Sequence, residues 1–135
     1  MAIKKTALVS RVSSYGDYEE IAPAEFPAGQ PNRVILYTEV SNFRSEKTKD
    51  EQYRTLLGEA VEIFDATGKS HWKQAHDKIP DTCRRIRTDF FLALELALPE
   101  SLPPGAYSLK VTVEDKLSAT ADQAQLAFSV TGAKK

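Results

Sequence analysis

The chain has 135 residues, 41% of them hydrophobic and 27% charged, with a formal net charge of -1. That length suits one globular domain burying roughly two-thirds of its unfolded surface. The near-neutral balance excludes a global field favouring nucleic acid or an anionic membrane, and no apolar run approaches the roughly 20 residues of a spanning helix. The N-terminal "MAIKKTALVSRV" starts basic, but Arg11 interrupts a short apolar stretch and no small-residue cleavage site follows, so it does not read as a signal peptide. A first strand is expected over residues 8–12, continued irregularly by "SSYGDYEEI". "FPAGQPN" is a loop dense in turn residues. In "RVILYTEVSNF", Val34, Leu36, Thr38 and Val40 share one face and Ile35, Tyr37, Glu39 and Ser41 the other. Both faces are partly apolar, which places this strand centrally in a sheet.

Residues 59–65 are expected as a strand, while 46–57 stay open between a short helix and strand or loop. Tyr53, Leu56, Leu57, Ala60, Val61 and Phe64 form a helical stripe, yet the stretch runs straight into the turn at 65–68 and a return strand carrying Trp72. In "IRTDFFLALELALP", Phe90, Leu92, Leu94, Leu96 and Leu98 alternate with Phe91, Ala93, Glu95 and Ala97 until Pro99. The closing "LPPGAYSLKVTVEDKLSATADQAQLAFSV" announces a turn and then alternates twice around a polar break at 115–122, which is a hairpin. About seven strands separated by turns suggest an all-β, antiparallel sandwich. The first few residues and "TGAKK" are expected to fray.

Sites are harder to find. The single Cys83 excludes an internal disulfide and leaves the compartment open. His71 and His76, five residues apart, fall on opposite strand faces, a poor arrangement for a metal. No nucleotide-binding glycine pattern or serine elbow occurs, and a thiol dyad would have to unite Cys83 with a distant histidine. Asp65, Asp115 and Asp122 lie near hairpin ends, where aspartate serves turns rather than calcium. Arg84, Arg85 and Arg87 beside two phenylalanines are too few for a nucleic-acid track. Tyr37 and Glu39 share one face of the central strand, where Glu39 needs a partner; Arg85 or Arg87 is expected to supply it, as a structural ion pair or as a docking patch. Tyr15, Tyr18, Tyr37 and Trp72 are the rings available to a carbohydrate platform.

The closing hairpin, with its Pro-Gly turn and Tyr107, resembles the last hairpin of immunoglobulin-like domains in bacterial surface and envelope proteins. "FPAGQPNRVILYTEVSNF" and "RRIRTDFFLALELALP" resemble single-domain segments of planctomycete-type bacterial proteins. The resemblance implies an immunoglobulin-like sandwich, with Tyr107 tying a loop to the sheet; it carries no activity, and the disulfide of many such domains is missing. The expectation is therefore a non-catalytic interaction or structural module without cofactor or metal, envelope-associated or else cytoplasmic. It would bind a protein partner or its own copy through an edge strand near Trp72, with Tyr37, Glu39, Arg85, Arg87 and Trp72 as binding residues and no nucleic-acid or membrane insertion. The alternative is a sandwich that binds carbohydrate or another small ligand.

Overall fold

The computed structural model describes residues 1–85 and 89–132, and every regular element in them is a strand. In chain order these are β1 (Ala2–Ser14), β2 (Asp17–Glu20), β3 (Glu25–Pro27), β4 (Asn32–Ser41), β5 (Glu46–Lys47), β6 (Tyr53–Asp65), β7 (Ser70–Cys83), β8 (Asp89–Leu98), β9 (Gly105–Asp115) and β10 (Thr120–Thr131). One sheet runs β2-β1-β4-β8. The other runs β3-β10-β9-β6, with β5 continuing beyond the end of β9 on one side of β6 and β7 along the other. All pairings are antiparallel except that of β3 with β10.

The two-residue period dictates the core. Val34, Leu36 and Val40 of β4 and Leu92, Leu96 and Leu98 of β8 meet Leu57, Val61 and Ile63 of β6, Leu109, Val111 and Val113 of β9, and Phe128 and Val130 of β10 in one buried cluster. Stacked sheets hide these apolar faces from water at roughly 25 cal/mol per Å². Tyr107 also turns inward, and its hydroxyl donates to the Pro103 carbonyl at 2.5 Å, fastening the turn to β9. At the far end of β9, buried Asp115 accepts the Arg44 and Leu117 amides and the Ser118 hydroxyl at 2.7, 3.1 and 2.8 Å. These bonds join two loops that would otherwise leave buried amides unpaired.

Several expectations change. Three short strands, β2, β3 and β5, add to the seven long ones, because brief pairings at sheet margins carry too few alternating residues to stand out. The stretch after β1 does not continue it but turns at Gly16, where φ is +77°, and returns as β2. Residues 46–57 hold no helix: β5 and a turn precede β6, whose inward positions are Thr55, Leu57, Glu59, Val61 and Ile63. Polar residues at two of those five sites hide the strand period and leave the helical stripe showing. The first residues are paired rather than frayed, Ala2 opposite Ser41, while 133–135 lie outside the described residues.

Candidate functional site

Tyr37 and Glu39 are neighbours on the outer face of the first sheet, and their role there is internal. The Tyr37 hydroxyl donates to Glu39 Oε2 at 2.6 Å and accepts the Gly16 amide at 2.8 Å, so it ties the β1–β2 turn to β4. Its ring is fully buried between Tyr18, at 4.3 Å between centroids, and Phe91, at 5.6 Å. Burial, followed by the hydrogen bond with Glu39, pushes the Tyr37 hydroxyl up to about 12. Lys5 lies opposite Glu39 in the β1–β4 ladder, with its ammonium 5.2 Å from the Tyr18 ring. Tyr37 and Trp72 are therefore not the open platforms a sugar needs. The first is covered, and the second packs against the core cluster opposite Ile63. Arg85 is exposed in the bend after β7, and Arg87 lies outside the described residues.

The strand bearing Trp72 is an edge: among the described residues β7 pairs with β6 alone. It is also a guarded edge. Its register slips twice, once around His71 and once at 77–78 opposite Gly58. A Cβ on Gly58 would come within 3.1 Å of the Asp77 carbonyl oxygen and of Lys116 Cε, so a bare backbone lets the bulge cross here. Pro80, Lys73 and Lys78 are further features that discourage an added strand. His71 and His76 serve locally, His71 Nε2 lying 2.7 Å from Asp65 Oδ2 and His76 Nε2 2.8 Å from the Gln74 amide nitrogen. Asp65 Oδ1 also accepts the Thr67 hydroxyl and the Thr67 and Lys69 amides, and these bonds hold its carboxyl well below the usual carboxylate range. Among the described residues no group of three or more His, Cys, Asp or Glu is placed to hold a metal ion.

The edge on the other sheet is different. All ten residues of β8 pair with β4 in unbroken register, and among the described residues no strand lies on its other side. "DFFLALELAL" contains no proline, lysine or bulge. Its inner residues Phe90, Leu92 and Leu94 form one wall of a cleft of about 340 Å³ that opens between the two edges. His76 and Ile79 of β7 form the opposite wall, and Glu59 of β6 lies at the base.

Glu59 is the unusual group. It is 3% exposed, and Thr38 Oγ1, itself buried, donates to its Oε2 at 3.2 Å from the facing sheet. Burial dominates, so its carboxyl is pushed up to about 7 from an ordinary 4.5, the Thr38 bond opposing part of that rise. A buried acid with a hydroxyl partner costs stability when ionised. It favours an occupant that supplies a donor or a positive charge. Sequence reasoning missed Glu59 because it was read as the first residue of a strand. The signal available was its place two residues from Leu57 and Val61, in step with an apolar face.

Neither a protein-family profile nor a curated protein matches this chain. Sixteen solved chains match in structure. One is a family 123 glycoside hydrolase from Clostridium perfringens, studied for glycolipid glycan hydrolysis, with a TM-score of 0.50 and 6% identity over 80% of this chain. The match covers 22% of that enzyme's chain, so the chain resembles a part of it in fold.

Proposed function

We propose that this chain is a non-catalytic, immunoglobulin-like module of a bacterial, envelope-associated protein, and that it binds an extended strand of a protein partner along β8. The observation that carries the reading is the margin of β8: ten residues in unbroken register, mostly apolar, with no proline, lysine or bulge, and with no strand on the outer side among the described residues. Strand addition to such an edge draws affinity from main-chain hydrogen bonds and specificity from alternate side chains. Support for the immunoglobulin-like form comes from the parallel pairing of β3 with the last strand, the separation of β4 and β8 from β9 and β10 into opposite sheets, and the Tyr107–Pro103 tie.

Support for a binding rather than catalytic role comes from the cleft. Glycoside hydrolysis ordinarily uses two carboxylates across the bond that breaks, and Glu59 is the only carboxylate among the described residues lining this cleft. The likeness to the clostridial hydrolase covers a minor share of that enzyme and bears on fold alone. The test is amide exchange on the protein with a ten-residue peptide alternating valine and threonine. Protection is expected along β8. Protection confined to β7 or to the loops, or none, contradicts the reading.

A further inference from the structure

The margin between β7 and β8 has the shape of a sandwich lacking one strand. A strand added to β8 would lie across the mouth of the cleft, and every second side chain would point between the sheets. The walls it would meet are mostly apolar, Phe90, Leu92 and Leu94 on one side and Ile79 beside His76 on the other. The base it would meet is the Glu59 carboxylate, buried and held by one hydroxyl bond from Thr38 at 3.2 Å.

Resting on the strand-addition reading above, we infer that the partner strand carries apolar side chains at its inward positions and, at one of them, a lysine or arginine whose charged head bonds Glu59. A long aliphatic stem ending in a cation matches this cleft in both chemistries. The stem lies against Phe90, Leu92 and Ile79, and the head reaches the carboxylate. A wholly apolar strand would fill the walls and leave the acid with the Thr38 hydroxyl as its one bonded partner among the described residues. A strand with an inward Asp or Glu would set two acids together in a water-poor site. The added bond also accounts for a buried acid on an otherwise greasy face: its cost to the free domain becomes discrimination in the complex.

The experiment uses the full chain and a set of capped ten-residue peptides alternating valine and threonine. In each, one inward valine is replaced by lysine, by methionine or by glutamate, and the replacement is walked along the inward positions. Titration calorimetry gives affinity, and amide exchange along β8 reports strand addition. The lysine peptide of one register is expected to bind about tenfold more tightly than its methionine counterpart, with the glutamate peptide weakest. Glu59→Gln, which removes the charge and keeps the shape, should bring lysine and methionine within about twofold, and Glu59→Met should reverse the order. If all peptides protect β8 equally, or the lysine preference survives Glu59→Gln, the cation is wrong and the edge reading stands. If no peptide protects β8, both fall.

Discussion

The two side margins of this two-sheet fold are built in opposite ways. Along one, the chain crosses between the sheets and stitches them. The Ile21 amide donates to Leu8 in the first sheet, and the Ser129 amide donates to Ala24 beside the second, both at 2.9 Å. The Ile3 amide donates to Asp122 Oδ2 at 2.9 Å, joining β1 to β10 directly. Phe26 of β3 meets Phe128 edge-on at 6.0 Å, and Phe128 stacks on Tyr107 at 5.5 Å. Along the other margin β7 and β8 stand apart, and a cleft floored by an acid separates them. A two-sheet protein needs a filled core everywhere, but it needs a closed margin only where nothing else is to enter. The difference locates the candidate site more sharply than any single residue does.

Unequal packing is the first way to break that contrast. Phe128→Ala removes a buried ring between two others and should cost about 3–5 kcal/mol in urea denaturation. Phe90→Ala, half-buried at the open margin, should cost about half as much. Equal losses would mean that the two margins are packed alike.

The next effect sharpens the comparison through pH. Between 4.5 and about 7, Glu59 is protonated in the folded chain and ionised in the unfolded one. The folded state then binds more protons, so this group's contribution to stability is fully present below 4.5 and is lost as pH rises through 7. The loss is on the order of 3 kcal/mol. Glu59→Gln should therefore flatten the profile and leave the variant more stable than the parent at pH 8, and about equal to it at pH 4. A parent whose stability does not fall between pH 5 and 8 faster than that of the variant would show that the acid is not buried as described.

Smaller effects probe the ties themselves. Tyr107→Phe deletes the bond to the Pro103 carbonyl and should cost about 1 kcal/mol, measured as a shift in the denaturation midpoint with an unchanged slope. Asp122→Ala should cost less than about 1 kcal/mol, since the group is half-exposed, yet speed amide exchange at Ile3. The Ile3 and Gln123 amides hold the Asp122 carboxyl below its usual range, so this bond is present at neutral pH and weakens as acid protonates it. An unchanged Ile3 rate would place that amide's protection elsewhere.

Much of the architecture could be read directly, and the reasons are local. β4, β8, β9 and β10 alternate, so which residues share a face followed from period alone, and the Pro103–Gly105 turn marked the entry to the last hairpin. β6 could not be read that way. Its inward Thr55 and Glu59 interrupt the apolar alternation, so 59–65 were legible as strand while 53–57 and the buried acid were not. Trp72 pointed to β7 as an edge, which it is, but the bulges that guard it and the outer flank of β8, where no strand lies among the described residues, are properties of pairing, which no single segment displays. Tyr37 and Glu39 were correctly placed side by side, but the Gly16 amide that occupies the hydroxyl comes from another strand pair.

The most direct test is native-state amide exchange across β8 at a concentration where the chain is monomeric. A strand paired on one side alone should show every second amide protected by β4 and the intervening ones exchanging at nearly solvent rates, while β9, flanked on both sides, is protected throughout. Uniform protection of β8 would mean that its outer flank is already filled, and would contradict the open margin on which the proposed partner depends.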